Sequence, residues 1–247
     1  MKKMIASLLL AAVCTAGHAA EIRVLSAGAL EPGLHAFAKV VKSQTGHDLR
    51  IQFNTAPQIA KRLAANEIYD ILISPPAAIA NAAKDGKVVA DTQVPVGRVG
   101  AGIIVRADAA APDVSTVDAL GKALLAADLV VYNTASTGLY LDKLFAKMGI
   151  LDQLRPKTTR YPDGASVMEH VIKGKGSEMG FGAITEIRMY EPKGLTMIGP
   201  LPPDVQNYTS YEAVVMTGAA AADAARAVLK LLASPAGKAA FVSAGVE

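Results

Sequence analysis

The chain has 247 residues, with 25 basic residues against 22 acidic ones, one cysteine and no tryptophan. Near-balanced, scattered charge leaves no basic field for nucleic acid and reads as ordinary solvated surface. A single cysteine excludes an internal disulfide framework, and no stretch is long and apolar enough to cross a bilayer as a helix.

The first twenty residues stand apart. Lys2 and Lys3 precede the apolar run Met4–Ala16, and Gly17-His18-Ala19-Ala20 follows. This is the pattern of a secretory signal peptide, with cleavage after Ala19 or Ala20, and it directs the chain to the periplasm. Cys14 falls in the removed segment, and Val13 before it does not suit a lipoprotein signal. Removing Lys2 and Lys3 leaves 23 basic residues against 22 acidic ones over 227 residues, enough for one large domain or two small lobes.

The mature chain opens with a short apolar run, Ile22–Leu25, that ends at Ser26 in the small residues Ala27-Gly28-Ala29. Leu30, Leu34, Phe37 and Val41 then recur at helical spacing. A strand, a small-residue turn and a helix leave the first helical N–H groups free, with the positive end of the helix dipole behind them, and such a place attracts anions. One such turn is an ordinary connection, but this chain repeats it. Leu49–Phe53 reads as a strand, Asn54-Thr55-Ala56-Pro57 as a turn capped by Thr55 or Ala56, and Gln58–Asn66 as a helix. Tyr69–Ser74 is a buried strand followed by helix Ala77–Lys84. Val94–Arg106 carries three glycines and no helical spacing, so it reads as an extended crossover. Val114–Leu125 is helical, with Ser115 or Thr116 as cap. The opening unit then recurs as strand Leu129–Tyr132, the polar turn Asn133–Gly138 and helix Leu139–Met148. Asp163-Gly164-Ala165-Ser166 starts helix Val167–Lys173. Met179–Ile184 and Leu195–Ile198 are strands, Tyr208–Met216 is a second extended crossover, and Ala222–Ala233 and Pro235–Ala244 are closing helices.

Strands alternating with helices predict an α/β fold of mostly parallel sheets covered on both faces. Two crossovers divide the chain into a discontinuous first lobe, 21–97 plus 210–247, and a second lobe, 101–207. Ligands in open α/β sheets sit at the carboxyl ends of the strands. The cleft is therefore expected between Ala27-Gly28-Ala29, Thr55-Ala56-Pro57, Ser136-Thr137-Gly138 and Gly164-Ala165-Ser166.

Over nearly its whole mature length the chain resembles the periplasmic solute-binding proteins related to molybdate-binding proteins. The resemblance rests on Leu25–Leu30, Ala60-Lys61-Arg62-Leu63, Tyr69-Asp70-Ile71-Leu72-Ile73-Ser74, Gly138-Leu139-Tyr140 and Ser234-Pro235-Ala236-Gly237-Lys238, in that order. It implies a two-lobed hinged clamp, monomeric, that closes over a small anion and delivers it to an ABC transporter permease. Molybdate-binding members hold their oxyanion with two serines, helix N–H groups and a tyrosine. Those side chains would fall here at Ala29, in the serine-free turn Asn54–Pro57, and near Ala183, while Thr137 and Val167 retain backbone-donor positions. A dry oxyanion site needs every ligand oxygen bonded, so three lost donors point away from molybdate and toward an organic di- or tricarboxylate in a roomier site. The same scaffold also carries an isomerase of aconitate, which that site would suit.

The ligand-binding candidates are Ser26, Gly28, Ala29, Asn54, Thr55, Gln58, Ser74, Ser136, Thr137, Gly138, Ser166 and Val167. Ser26 can meet a ligand or bond its own backbone, Thr55 can donate or cap its helix, and Ser136 or Thr137 can do either. Tyr140 can be core or contact. Arg98, Arg160 and Tyr161 are candidates to clamp a carboxylate or simply to be solvated. His35, His47 and His170 have no metal-ligand spacing, and Glu169 and His170 are adjacent on a helix and point apart. No Walker loop, dinucleotide fingerprint or Gly-x-Ser-x-Gly motif occurs, so neither metal nor cofactor is expected. Only Asp163 and Glu31 carry a titratable group near the four turns. A cleft with donors and no base describes a binder rather than an isomerase.

Overall fold

The computed structural model describes residues 19–247. The segment predicted as a signal peptide lies outside the described residues except for Ala19 and Ala20. β1 (Glu21–Ala27) passes through a 3-10 turn, Gly28–Leu30, into α1 (Glu31–Thr45), which Gly46 ends in the left-handed conformation at φ 74°. β2 (Asp48–Asn54), α2 (Ala56–Ala64), β3 (Ile71–Ser74) and α3 (Pro76–Lys84) follow. β4 (Val94–Arg106) is a single extended strand. α4 (Val117–Ala126) begins later than its periodicity suggests, because the Thr116 side chain accepts from Ala119 N and starts the helix there. Next come β5 (Leu129–Asn133), α5 (Ser136–Lys147), α6 (Leu151–Leu154), β6 (Thr158–Tyr161), α7 (Gly164–Lys173) and β7 (Glu178–Ala183). α8 (Ile184–Tyr190), β8 (Leu195–Pro200), β9 (Tyr208–Val215), α9 (Ala222–Leu232) and α10 (Pro235–Ser243) complete the fold.

Three elements have no counterpart in the sequence reading: α6, β6 and α8. α6 spans four residues and β6 four, too short for a period to show. α8 starts directly at the end of β7, so Ile184, read as the last strand residue, is instead the first helical one. α5 likewise starts at Ser136, which puts Ser136, Thr137 and Gly138 in the first helical turn rather than ahead of it.

The strands form the succession β2-β1-β3-β9-β4-β7-β5-β6, with β8 also on β4. β1 pairs with β2 and β3 in parallel, and β5 pairs with β6 and β7 in parallel. Every antiparallel pair involves β4 or β9. β1 and β5 do not pair with each other. The first half of β4 pairs with β9, and the second half pairs with β7 and β8, so two half-sheets meet along one long strand in a two-lobed α/β fold.

Side chains alternate across these strands, as the strand period requires. In the first half-sheet Ile22, Val24, Ile71, Ile73, Ala213 and Val215 face a core with α1, α9 and α10, where the Phe37 and Phe241 rings lie 5.7 Å apart. Leu25, Leu72 and Val214 face α2 and α3 on the other side. In the second, Ile103, Val130, Tyr132 and Phe181 pack with α4, α5 and α6, and Ile104 and Val131 with α7 and α8. Each fully buried aliphatic or aromatic side chain contributes about 1.5–3 kcal/mol, so helices on both faces are what make half-sheets of this composition stable.

Asp70, 2% exposed, ties the first half together. Its carboxylate accepts from Arg23 N and from Ala221 N, each at 2.8 Å, and so joins β1 to the approach to α9. Replacing it orphans both donors at about 1–3 kcal/mol each. Asp70→Ala should therefore lose roughly 2–6 kcal/mol in urea unfolding. A loss below about 1 kcal/mol would show that these bonds are not structural.

Candidate functional site

The carboxyl ends of the strands in both half-sheets meet in one narrow cleft of about 40 Å³. Ala27, Gly28 and Ala29 line it from the turn before α1, Asn54, Thr55 and Ala56 from the start of α2, Ala135, Ser136 and Thr137 from the start of α5, and Gly164 from the start of α7. Asn133, Pro75, Ala183, Glu186 and Tyr211 complete the wall. Four helix N-termini therefore converge, and no lysine or arginine is among the lining residues. The N–H groups of Ser136 and Thr137, at the first two positions of α5, have no intrahelical acceptor.

Local chemistry shapes each turn. Asn133 Oδ1 accepts from Ala135 N at 3.0 Å and Gly138 N at 3.2 Å, and so holds the entry to α5. A Cβ on Gly138 would overlap the Asn133 carbonyl, so only glycine allows this approach. Gly138 is therefore buried scaffold beneath the cleft rather than part of its wall. At α2, Gln58 Oε1 accepts from Thr55 N at 2.8 Å and from Asn54 Nδ2 at 3.3 Å. Gln58 thus faces back onto the turn and does not line the cleft. Thr55 is the N-cap residue and sits in the capping-box position, but its Oγ1 makes no hydrogen bond of good geometry and is buried without a partner at the cleft wall.

Several candidates lie elsewhere. Ser26 is fully buried and donates to Ala27 O at 3.2 Å, a strand-end bond to backbone. Ser74 is fully buried with its Oγ unpartnered, and the next residue, Pro75, is the one that reaches the cleft. Ser166 lines a separate surface groove with Tyr161, Glu169 and His170, and its N–H is taken by Asp163 Oδ1 at 2.8 Å in the α7 cap. Val167 is buried in the core between α7 and the sheet. Arg98 pairs with Glu247 at 3.1 Å and stacks 4.3 Å from the Tyr208 ring centroid. Arg160 binds both oxygens of Asp142 and the Asn133 carbonyl. The Tyr161 hydroxyl meets His170 Nδ1 at 2.8 Å, and Tyr140 donates to Val205 O at 2.7 Å. These side chains are occupied by structural partners.

Glu186, in the first turn of α8, is the residue the sequence reading missed. α8 packs against α1 and the 3-10 turn of the other half of the molecule. Thr185 there is buried and donates to Ala29 O at 2.5 Å across the seam. The Glu186 carboxyl reaches the cleft between Gly28 and Gly164. A Cβ on Gly28 would lie 2.8 Å from Oε1, and one on Gly164 would clash with Oε2. The residue is half-buried, its carboxyl sits deep in the cleft with its oxygens open to it, and no group among the described residues donates a hydrogen bond to it. Burial first, and then the charges of Glu31 and Asp163, push its pKa up to about 7. The cleft thus contains a titratable group poised near neutrality, the property a general base needs. The signal in the sequence was slight: a Thr-Glu pair directly after a buried strand, the same strand–helix junction as the other turns. Tyr211 also reaches the cleft, on the face of β9 that carries Ala213 and Val215. Among the described residues no group of three or more His, Cys, Asp or Glu is placed to hold a metal ion.

Residues 22–247 match the family model of bacterial extracellular solute-binding proteins. A curated protein from Pseudomonas sp. named aconitate isomerase is 29% identical over 219 residues, covering 86% of this chain and 82% of its own. The periplasmic molybdate-binding protein of Azotobacter vinelandii shares the fold with a TM-score of 0.75 at 16% identity, over 92% of this chain and 98% of that one. The sulfate-binding protein SubI of Mycobacterium tuberculosis H37Rv does so with a TM-score of 0.76 at 16% identity, over 92% and 86%.

The desolvated carboxyl has a consequence for stability. Its pKa in the folded state, about 7, lies above the ordinary value of 4.5. Folding therefore favours the neutral acid, and that contribution is complete below about pH 4.5 and is lost as the pH rises through about 7. Glu186→Gln mimics the neutral acid at every pH. Melting temperatures of the two proteins should agree near pH 4.5 and diverge toward pH 8, with the glutamine variant higher. A constant difference across that range would show that Glu186 is not desolvated.

Proposed function

The chain belongs to the bacterial extracellular solute-binding proteins, and from that premise we propose that its cleft takes an unsaturated tricarboxylate such as aconitate and isomerises it, with Glu186 as the base. The carrying observation is the Glu186 carboxyl, set between Gly28 and Gly164 with its pKa raised to about 7. An ionised carboxylate facing an anion cleft works against pure binding. It serves chemistry that needs a proton removed beside another carboxylate. The relative named aconitate isomerase supports the same reading.

In this reading the substrate carboxylates sit at the helix N-termini, where first-turn N–H groups and the Ser136 and Thr137 hydroxyls donate to them. Glu186 takes a proton from the methylene carbon. The released electron pair moves into a new double bond toward the central carbon, and the old double bond's electrons spread onto the far carbon and its carboxylate. Glu186 then returns the proton to that far carbon, which becomes the methylene. One C–H bond breaks and one forms, the double bond shifts by one position and can settle in the other geometry, and the base ends as it began. The N-terminal donors stabilise the charge that develops on the carboxylate.

The segments 21–97 plus 210–247 and 101–207 move as the two lobes, with β4 and β9 as the hinge, and the chain works in the periplasm as a monomer after removal of its signal peptide. A second reading is a receptor that hands an organic di- or tricarboxylate to an ABC transporter permease. Four helix N-termini converging without a lysine or arginine favour it, since that is sufficient for binding without chemistry.

Incubating the mature protein with cis-aconitate and resolving the trans isomer by chromatography should show turnover. Glu186→Gln should lower kcat at least about 10²-fold while calorimetry still detects binding. Binding without turnover would leave the receptor reading, and neither would end both. Molybdate should bind poorly, because Ala29, Ala56 and Ala183 line the cleft without side-chain donors. Sub-micromolar affinity in calorimetry would overturn that.

A further inference from the structure

Tyr211 is 7% exposed, lines the cleft, and has a hydroxyl that forms no hydrogen bond among the described residues. Thr209, two residues earlier on the same face of β9, is a polar side chain that acts on the phenol, and it favours the ionised form only weakly against burial. The ring is buried, but the hydroxyl oxygen opens onto the cleft, where it is free to donate to a bound anion. The turns around the cleft present mainly donors, and a bound carboxylate is an acceptor that this hydroxyl can meet.

The backbone places this group with care. Tyr211 pairs with Gly97 across the β4–β9 ladder, next to a register shift between Pro95 and Gly97. β9 pairs with β3 and the first half of β4, so Tyr211 belongs to the first half-sheet, whereas Glu186 comes from the second. Burial, and after it the negative charge of Glu186, push the phenol pKa upward, so the hydroxyl keeps its proton. Glu186 lines the same cleft, and no hydrogen bond joins the two. A ligand atom between them can meet a donor on one side and a base on the other.

We propose that Tyr211 is a second catalytic residue, whose hydroxyl donates to the substrate carboxylate next to the carbon that Glu186 deprotonates. The inference rests on the isomerase reading for its chemistry, but the contact itself is measurable without turnover. As the proton leaves, the negative charge is shared between the two ends of the three-carbon unit and so grows on that carboxylate as well as on the far one, and a fixed neutral donor stabilises it more than the ground state.

The test is Tyr211→Phe in the full mature protein. No internal hydrogen bond is lost, so its melting temperature should stay close to wild type. With cis-aconitate, kcat should fall about 10²-fold. On a Glu186→Gln background, calorimetry with cis-aconitate should show affinity about fivefold weaker when Tyr211 is also replaced. A kcat within about threefold of wild type, with turnover present, overturns the inference and leaves the isomerase standing. If the wild type binds cis-aconitate without turning it over, the isomerase fails and calorimetry decides: weaker binding in Tyr211→Phe upholds the contact, and equal binding removes it. Absence of wild-type binding overturns both.

Discussion

The two half-sheets meet where α8 brings one carboxyl into the cleft among their helix N-termini. α8 carries Glu186 from the second half and packs on α1 and the 3-10 turn of the first, with the Thr185–Ala29 hydrogen bond beside it. The carboxyl lies close against Gly28 and Gly164, where an added Cβ would make it move aside. Each helix N-terminus favours the ionised form by about 0.3–1 kcal/mol. Removal from water and the like charges of Glu31 and Asp163 act the other way, and the pKa near 7 shows that they prevail. The group is thus poised between two states, and each half of the molecule contributes to the balance.

The rest of the cleft is built from backbone rather than cations. Helix N-termini supply fixed, directional N–H donors that cost no side-chain entropy to hold in place. Lysines or arginines would be attracted to Glu186 and would draw its pKa down. A wall of small residues and peptide dipoles therefore suits a site that must hold an anion while keeping a weak acid weak. The nearby arginines follow the same logic in reverse: Arg98 and Arg160 are engaged by Glu247 and by Asp142 and kept away from the cleft.

Much of this architecture was legible in the chain. Strands such as Ile22–Leu25 and Leu129–Tyr132 alternate or run apolar as buried strands do, and the helices that follow carry their period over several turns. The small-residue turns were visible because chemistry as local as capping and close backbone approach leaves a mark in consecutive residues. Thr55, Asn133 and Asp163 act within five residues of themselves. Ser166 and Val167 misled for the same reason: their place at a helix start is local, but whether they face the cleft depends on the rotation of α7 against the sheet.

The sequence by itself determined the alternation of strands and helices, the two long crossovers and the set of turns that carry free N–H groups, because each rests on spacing within a few residues. Only the tertiary structure decided that Gly28, Gly164, Glu186 and Tyr211 share one space, since they come from four separate elements of the chain. The acidity of Glu186 is likewise a product of assembly. Its neighbours Thr185 and Ile187 say nothing of it, and its pKa is set by loss of water and by charges that lie 155 and 23 positions away in sequence at Glu31 and Asp163. Periodicity records which face of an element is buried, whereas an electrostatic environment exists only once the elements have been brought together.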